Sequence, residues 1–423
     1  MMYKFFNNSK HYLLALFVLT IPFMPISVKS DDGVPAENIE QFVDVYKRIK
    51  EQYVDNVDDS QLFQSAIKGM VSDLDPHSSY LSKDDFNELK IGTTGKFGGL
   101  GIEITIEDDF VKVIAPIDDT PAKRVGVKSG DLIIKVDDTS LRDMSINDAV
   151  KLMRGEPGTK VQITIIRKKV KKPIVFDIKR EIIIAKGIKS KLFNNGIGYI
   201  RLSNFQSDST NHVKSAIHKL NKESKNNLSG LILDLRNNPG GVLGTAVGIS
   251  DLFLKKGKIV YTNGRTLNSK LEYFATPQDV IEGIPLIVMV NEGSASASEI
   301  VAGALQDNER AQILGVKSYG KASVQTIQEL SDGSALKLTT ARYYTPLGRD
   351  IHKHGIDPDI MVKISDKDLV SLPKPYDKDK QLFEAIEYLK TMKISFESPY
   401  RTMGMYDYNK DTAWGINEHD ATQ

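Results

Sequence analysis

The spacing of apolar residues changes character twice along the chain. Between residues 35 and 90 apolar positions recur at steps of three and four, which predicts helices; the clearest run is Phe42, Val45, Tyr46, Ile49 and Tyr53. From Gly98 to about residue 170, short alternating strands and glycine-containing turns follow. Beyond residue 173 strands alternate with helices, and this order predicts an α/β layer structure with some parallel pairing.

The most informative part of the α/β region runs from Ile287 to Leu305. Four apolar residues at 287–290 predict a buried strand, and a polar break containing Gly293 follows. Serines then alternate with alanines at 294–298, and helical spacing begins at Glu299. The serines therefore lie on a predicted strand-to-helix turn. Free N–H groups at the start of a helix can hold an oxyanion there while a hydroxyl attacks a carbonyl.

The same serine turn also has a purely structural interpretation. Ser296 and Glu299 fit the S-x-x-E capping box, in which the two side chains satisfy the first N–H groups of a helix. Capping and catalysis explain this stretch equally well when it is considered alone. The decision between them depends on residues elsewhere in the chain.

Two further segments carry residues suited to hydrolysis. Gly240 and Gly241 follow a predicted buried strand at 230–235, and twin glycines let a backbone approach a ligand closely, although a tight turn is the alternative. Lys321 and Gln325 are four residues apart, which places them on one face of either a strand or a helix. A lysine deprotonated by burial can act as the base for a serine, whereas a lone lysine is usually a solvated surface residue.

Residues 96 to 170 contain four linked features: G-L-G-I at 99–102, P-A-x-x-x-G-V-x-x-G-D-x-I at 121–133, a helix after Ser145, and G-T-x-V-x-I-x-I at 158–165. Together they resemble a PDZ domain in the arrangement used by exported bacterial proteases. The resemblance implies that a peptide C-terminus adds as a strand beside the stretch from Leu100 through Ile102 to Ile104. It also implies that backbone N–H groups of the Gly99-Leu100-Gly101 loop receive the terminal carboxylate. Glycines that only form a tight turn are the alternative.

Three linked motifs lie in the predicted α/β region: N-x-G-S-A-S-A-S-E at 291–299, G-K-x-x-x-Q at 320–325 and L-R-x-N-P-G-G at 235–241. Together they resemble those of the C-terminal processing peptidases, also called tail-specific proteases, and the resemblance extends from about residue 40 to 390, including 74–78 and 344–349. It implies a serine endopeptidase with Ser296 as nucleophile, Lys321 as general base and Gln325 as support for the lysine.

The oxyanion hole, again by resemblance, would be the N–H of Ala297 and a glycine N–H from Gly240 or Gly241, without a choice between the two glycines. Arg154, near the end of the PDZ helix, would link peptide binding to the active site. The resemblance implies an α/β core of the Clp protease/crotonase type with an inserted, mainly β PDZ domain of two helices. It also implies an N-terminal helical segment and no cofactor.

The expected partners are proteins or peptides with exposed, apolar C-termini. An adaptor or activator protein and a homo-oligomer are further candidate partners. The rival interpretations are a non-catalytic PDZ scaffold of the cell envelope, and a hydrolase of acyl thioesters on the same kind of core. The presence of both Ser296 and Lys321 favours the protease over the scaffold.

The composition argues against several other classes of function. The 423-residue chain has a net charge of +1, which offers no electrostatic footprint for nucleic acid, and its basic run at 167–172 is expected to be a solvated hairpin end. The absence of cysteine excludes disulfides, thiolate nucleophiles and thiolate metal sites. His352 and His354 have no acidic neighbours that complete a metal site, so we predict no metal, while a Ser-His-Asp arrangement is left open by counting residues alone.

The N-terminus predicts export. Lys4 and Lys10 precede an uncharged apolar stretch at 12–28, which is typical of a secretory signal or of an uncleaved membrane anchor. Either one predicts that the protein works in a bacterial periplasm. The expected segments are a signal or anchor at 1–30, a helical segment at 31–95, the PDZ domain at 96–172, the catalytic α/β core at 173–365, and a C-terminal helix with a flexible tail at 366–423.

Overall fold

The computed structural model describes residues 35–107, 109–185, 187–193, 195–363 and 378–397. The predicted signal segment at 1–30 lies outside the described residues, as do 366–377 and 398–423 of the predicted C-terminal segment. Within the described ranges, no helix is both long enough and apolar enough to cross a membrane. The chain divides into a first unit that ends at Ile67 and a second that begins at Lys68.

The first unit contains the helices that the apolar spacing predicted near the N-terminus. They are α1 (Ala36–Gln52) and most of α2 (Asp59–Ser72). The rings of Tyr46 and Phe63 stack with their centroids 5.3 Å apart, and the Tyr46 hydroxyl donates to Asp59 Oδ1 at 2.8 Å. An aromatic stack and a hydrogen bond thus join the two helices.

In the second unit, the predicted PDZ region forms a sheet of its own with the order β3-β4-β5-β7-β8 and β6 beside β5. The elements from the start of this unit to the end of the region are β1 (Ser79–Leu81), α3 (Lys83–Thr94), β2 (Lys96–Gly99), β3 (Ile102–Glu107), β4 (Phe110–Pro116), α4 (Pro121–Arg124), β5 (Leu132–Val136), β6 (Thr139–Ser140), α5 (Ile146–Met153), β7 (Lys160–Ile166), β8 (Ile174–Lys179) and β9 (Glu181–Ile184). Buried side chains of β4, β5, β7 and α5 form a separate apolar core. The mainly β composition with two helices is as predicted.

Details of the PDZ region refine two sequence-based expectations. Its sheet continues through β8 to Lys179, past the expected boundary at residue 172. The basic run at 167–172 lies at the hairpin between β7 and β8, but Arg167 is not simply solvated, because it donates to Oδ1 of the buried Asp131 at 2.7 Å. Ser145 caps α5, since its hydroxyl accepts from the N–H of Asp148 at 3.2 Å.

Strands β2 and β9 precede and follow the PDZ sheet in sequence, and they pair with each other. The pairing is antiparallel, with Lys96 opposite Ile184 and Gly99 opposite Glu181. The chain therefore enters and leaves the PDZ region side by side, which is the geometry of an inserted domain.

The α/β core contains a six-stranded sheet with the order β10-β11-β12-β15-β16-β19. The pairs from β11 to β19 are parallel, and β10 is an antiparallel edge strand. Its elements are β10 (Ile188–Leu192), β11 (Ile197–Leu202), α6 (Ser209–Glu223), β12 (Gly230–Asp234), α7 (Leu243–Asp251), β15 (Leu286–Val290), α8 (Ala297–Asp307), β16 (Gln312–Gly315), β19 (Ile360–Met361) and α9 (Lys380–Glu397). The predicted α/β structure with parallel pairing is confirmed.

The two faces of this sheet are covered by different helices. Leu231 and Leu233 of β12 belong to the cluster that contains the buried residues of α6, α7 and α8, whereas Ile232 belongs to a second cluster with Ile386 of α9. Successive strand residues therefore point to opposite, fully covered faces. The result is a three-layer arrangement, which explains the uninterrupted apolar run of β12.

A second core sheet has the order β1-β18-β13-β14, with β17 also paired to β18. Its remaining elements are β13 (Lys258–Gly264), a 3-10 turn (Leu267–Ser269), β14 (Glu272–Phe274), β17 (Ser323–Glu329) and β18 (Ala335–Tyr344). Because β1 and β17 both pair with β18, the turn before β1 is brought close to the segment that contains Lys321 and Gln325.

Candidate active site

Ser296 lies between the end of β15 and the start of α8, on the strand-to-helix turn that the sequence predicts. It is the N-cap residue of α8 and has φ 56° and ψ −113°. L-residues rarely adopt positive φ, and such a conformation persists only where the surroundings over-determine it. Neighbouring groups must therefore hold Ser296 in this conformation.

Glu299 holds this turn in place. Its carboxylate is fully buried and accepts hydrogen bonds from the N–H groups of Ser296 at 2.8 Å, Gly320 at 2.6 Å and Lys321 at 2.9 Å, and from the Ser318 hydroxyl at 2.6 Å. Ser296 and Glu299 have the arrangement of a capping box, but the N–H of Glu299 donates to the backbone carbonyl of Ser296 at 2.9 Å, and the Ser296 side chain makes no cap hydrogen bond.

The three serines of the turn have different roles. The Ser294 hydroxyl donates to the Leu235 carbonyl at 2.8 Å, and the Ser298 hydroxyl donates to the Asn238 carbonyl at 2.9 Å; both side chains are fully buried. The Ser296 hydroxyl, by contrast, has no hydrogen-bond partner among the described residues. Two serines thus serve the packing of the turn, and the hydroxyl of the middle serine takes no part in it.

Tyr343 of β18 fixes the backbone on the other side. Its hydroxyl donates to the Lys321 carbonyl at 2.6 Å and lies 3.0 Å from the Ser296 carbonyl. Glu299 binds the N–H groups of the same two residues, so the peptide units of Ser296 and Lys321 are held together from both ends.

Ser296, Lys321 and Gln325 line one cavity of about 400 Å³, together with Gly241 and Ala297. Burial, followed by the positive charge of Lys337, lowers the pKa of the Lys321 ammonium, and the carboxylates of Asp75 and Glu299 only partly oppose this shift. In the described part of the chain, neither the Ser296 hydroxyl nor the Lys321 amine has a hydrogen bond or ion pair. Such contacts often form only when substrate binds.

The position of Gln325 relative to Lys321 does not follow from the regular alternation of side chains along a strand. Lys321 precedes β17, and a register shift between Val324 and Gln325 interrupts the alternation of faces. The Gln325 side chain donates through Nε2 to Ser323 Oγ at 3.0 Å and to Thr339 Oγ1 at 3.2 Å. Lys321 and Gln325 nevertheless meet at the same cavity.

The twin glycines lie against the serine turn, and they are not equivalent. A Cβ on Gly240 would lie 2.8 Å from the Ser296 Cβ, so only glycine allows this approach. The Gly240 N–H donates to Asn238 Oδ1 at 2.9 Å. The N–H groups of Gly241 and Ala297 have no acceptor among the residues that the structure describes, and both residues line the cavity.

A buried network of ion pairs lies just before the loop that contains Gly240 and Gly241. The guanidinium of Arg236 is fully buried and pairs with Asp234 and Asp379, each at 2.8 Å. Burial acts to raise the pKa of Asp234, but the charge of Arg236 outweighs it and holds that pKa below its ordinary value. This network ties the end of β12 to the start of α9.

The five residues expected to bind a peptide also come together. Gly99, Leu100, Gly101, Ile102 and Arg154 line a cavity of about 130 Å³ whose other walls are apolar, formed by Phe97, Ile104, Val150 and Met153. The N–H groups of Leu100 and Gly101 are without an acceptor within the described ranges. The site therefore offers an apolar pocket beside free backbone donors.

Arg154 connects this pocket to the core. Its Nη1 bonds both carboxylate oxygens of Glu88, at 2.9 and 2.8 Å, and Glu88 belongs to α3. Leu89 and Thr93 of the same helix line the catalytic cavity. One helix thus touches the peptide pocket through a salt bridge and the catalytic cavity through its neighbouring side chains.

Three stretches of the chain match known protein families. Residues 196–362 match peptidase family S41, residues 112–167 match the PDZ domain, and residues 25–85 match the N-terminal domain of activating protease CtpB. A carboxy-terminal-processing protease of Bartonella bacilliformis is 46% identical over 328 residues, which span 77% of this chain and 75% of that protein. The chain belongs to peptidase family S41.

This S41 protease is a carboxy-terminal-processing serine protease with a PDZ domain, as the sequence resemblance implied. Carboxy-terminal processing protease CtpA of Bacillus subtilis is 37% identical over 326 residues, spanning 76% of this chain and 68% of that protein. The solved structure of the photosystem II D1 C-terminal processing protease is 30% identical, covers 78% of this chain and 94% of its own, and aligns with a TM-score of 0.45.

Sequence reasoning missed several residues that build the protease site. Glu299 carried a signal, but only for helix capping, and its bonds to Gly320 and Lys321 were not foreseen. Tyr343 carried no local signal at all. Among the described residues, no group of three or more His, Asp or Glu side chains could hold a metal ion.

Proposed function

We propose that this protease captures protein C-terminal tails in its PDZ domain and cleaves peptide bonds with a Ser296–Lys321 dyad through an acyl-enzyme. The observation that supports this most directly is the shared cavity, where a free serine hydroxyl, a desolvated lysine and two free backbone N–H groups meet. These are the nucleophile, base and oxyanion donors that acyl transfer requires.

In the proposed mechanism, neutral Lys321 takes the Ser296 proton as the hydroxyl attacks the scissile carbonyl. The lysine then gives that proton to the leaving amine, and the acyl-enzyme remains on Ser296. Next, neutral Lys321 takes a proton from the water that attacks the ester, and it returns that proton to the Ser296 oxygen as the acyl–oxygen bond breaks and the product leaves. Gln325 supports the lysine without adding a charge that would raise its pKa.

For the oxyanion hole we assign the N–H groups of Ala297 and Gly241. The Gly240 N–H already donates to Asn238, so it has no hydrogen left for a substrate oxygen. Gly240 instead permits the close approach of the loop to Ser296.

Peptide capture would use the groove beside β3. The substrate adds as a strand next to Ile102, and its terminal carboxylate accepts from the free N–H groups near Leu100 and Gly101. The small apolar pocket suits an apolar terminal side chain. Arg154 links this event to the catalytic cavity through Glu88 and α3.

Three further expectations belong to this proposal. The core is of the Clp protease/crotonase type, supported by its parallel sheet and the site at the carboxyl ends of the strands. The protein is exported to the periplasm, supported by the sequence at 1–30 alone. An adaptor or activator and a homo-oligomer are candidate partners, and nucleic acid is not expected.

The test uses purified protein and an unstructured substrate with an apolar C-terminus, with products identified by mass spectrometry. Wild type should cleave, whereas Ser296→Ala and Lys321→Ala should each lose at least about a thousandfold in kcat. Equal cleavage by all three proteins would contradict the dyad. Binding of the tail without cleavage by wild type would favour the scaffold interpretation.

A further inference from the structure

The turn that precedes β1 lies beside the catalytic cavity, although the mechanism above gives it no role. Asp75 Oδ1 accepts from the N–H groups of His77 at 2.7 Å and Ser78 at 2.9 Å, and Oδ2 accepts from the Ser78 hydroxyl at 2.7 Å. These bonds make the turn around His77. Asp75 also has a partner from the far end of the chain, since Thr339 Oγ1 of β18 donates to Oδ1 at 3.2 Å.

Thr339 passes this interaction to the active site. Its hydroxyl oxygen accepts from Gln325 Nε2 at 3.2 Å, and the same nitrogen donates to Ser323 Oγ at 3.0 Å. Both hydrogens of the Gln325 amide nitrogen are thereby used. The amide oxygen is the group of this side chain left to meet Lys321, with which Gln325 shares the cavity.

We propose that Asp75 is a positioning residue for proteolysis, on the basis of the proposed dyad. Through Thr339, its carboxylate fixes the direction of a hydrogen-bond chain, so that Gln325 presents its amide oxygen rather than its NH₂ group to the Lys321 amine.

The direction of this hydrogen-bond chain follows from the chemistry of Asp75, which is its first member. An ionised carboxylate can only accept hydrogen bonds, so Thr339 must donate to it and has its lone pairs left for Gln325. Burial acts to raise the pKa of Asp75, but bonds from Ser78, His77 and Thr339 outweigh burial and hold the pKa below its ordinary value. The carboxylate is therefore ionised at neutral pH.

The direction of the chain matters for Lys321, because its neutral amine has two N–H bonds and only one lone pair. An amide oxygen that accepts one N–H of Lys321 leaves the lone pair available for the Ser296 proton. An NH₂ group in the same place would donate to that lone pair and compete with the serine. Asp75 thus acts on the base through two intermediate side chains.

Asp75 also contributes charge to a crowded electrostatic environment. The titratable groups that act on Lys321 or adjoin it are Asp75 and His77 of the turn, Lys337 of β18, Glu299 of α8, and His352, which adjoins His77. Asp75 raises the pKa of Lys321 against burial and Lys337. Removing its charge should therefore lower that pKa further, so the activity should persist to lower pH.

The experiment compares Asp75→Asn, Thr339→Val and Thr339→Ser in the full chain, with kcat and KM for a peptide substrate measured across pH. Matched controls are Asp73→Asn, an exposed carboxylate just before the turn, and Thr340→Val, whose hydroxyl pairs with Thr326 at an exposed position. Thermal unfolding of every variant accompanies the kinetics.

Asp75→Asn and Thr339→Val should lower kcat by about ten- to a hundredfold while KM stays within about twofold. Thr339→Ser should restore kcat. Only Asp75→Asn should move the acid limb of the pH profile, by about 0.5–1 unit to lower pH, because Thr339→Val keeps the charge. A residue that merely holds the turn would change stability without moving that limb.

The proposal is overturned if Thr339→Val keeps wild-type kcat, if Thr339→Ser does not restore the loss, or if folded Asp75→Asn keeps its acid limb. Should Asp75→Asn fail to fold, the two Thr339 variants decide the matter, because they leave the turn and its charge intact. Failure of the dyad itself is separate, since it would appear as cleavage by Ser296→Ala.

Discussion

The serine turn and the peptide groove of this protease are held in opposite ways. The serine turn is clamped by Glu299, a fully buried carboxylate that accepts hydrogen bonds from four donors. The peptide groove is joined to α3 by the Arg154–Glu88 pair, whose side chains are 29% and 57% exposed. Exposed pairs of this kind contribute only about 0–1 kcal/mol.

This difference has a functional meaning. Catalysis requires donors and nucleophile that are fixed before the reaction, because reorganisation at the transition state costs rate. A sensor of bound peptide instead requires a contact that is easy to exchange. Under the proposed capture of a peptide C-terminus, the substrate carboxylate would replace the exposed carboxylate of Glu88 at Arg154, whereas nothing from solvent can replace the buried Glu299.

The largest effect is expected from breaking the clamp. Glu299→Gln puts an NH₂ group where a carboxylate oxygen accepts from backbone N–H groups, so at least one buried donor loses its acceptor. We expect a loss of about 2–4 kcal/mol in the free energy of unfolding and about a hundredfold in kcat. Urea unfolding and peptide cleavage measure the two quantities.

The matched control for the clamp is Glu292→Gln, because Glu292 is an exposed residue of the same loop. It should change neither quantity by more than experimental scatter. A Glu299→Gln enzyme with wild-type stability and rate would show that the serine turn does not depend on its buried carboxylate.

Two substitutions at the peptide groove should change the affinity for a peptide by smaller amounts and in opposite directions. Arg154→Ala removes a cation beside the peptide pocket and should weaken binding of a free C-terminus by about tenfold. Glu88→Gln removes the competing anion and should tighten binding about two- to threefold. Calorimetry on the Ser296→Ala background measures binding without cleavage.

A peptide with an amidated C-terminus is the control for this pair of variants. It carries no carboxylate, so Arg154→Ala and Glu88→Gln should affect its binding equally little. Changes of the same sign in both variants, or equal effects on the amide, would mean that Arg154 and Glu88 only join the two parts of the molecule.

The comparison also shows which parts of the site the sequence could predict. The Ser296 turn, the glycines and the strand–helix order were predictable, because local spacing and residue type determine strands, helix starts and tight turns. The free hydroxyl of Ser296 was not, since it depends on Ser294 and Ser298 finding carbonyl partners on another loop.

Long-range partners carry no local signal. From the sequence, Tyr343 is only an aromatic residue of a predicted strand. In the structure, β18 brings its hydroxyl to the backbone carbonyls of Ser296 and Lys321. Arg236 reads as a polar residue after a strand, and its partner Asp379 lies 143 positions further along the chain. Such pairs are set by the packing of whole elements, so single-sequence patterns do not reveal them.

A smaller effect is expected from the charges around the lysine. Activity should rise with pH through the depressed pKa of Lys321, because only the neutral amine can take the serine proton. Lys337→Gln removes a positive neighbour that lowers this pKa, so the acid limb of kcat/KM should move up by about 0.5 pH unit. Lys168→Gln, at the exposed PDZ hairpin, is the control, and a limb that stays in place would contradict the assignment of Lys321.

The smallest effect is expected from Ser298→Ala, and it sharpens the contrast within the turn itself. The Ser298 hydroxyl donates to the Asn238 carbonyl at 2.9 Å, and Ser298 does not line the cavity that contains Ser296. Its loss should cost about 1 kcal/mol in the free energy of unfolding. The kcat value should stay within about threefold of wild type, while Ser296→Ala abolishes cleavage without a comparable loss of stability. Urea unfolding and single-turnover cleavage measured on both variants test this division. If Ser298→Ala lost activity as completely as Ser296→Ala, the nucleophile would no longer be assigned by its free hydroxyl.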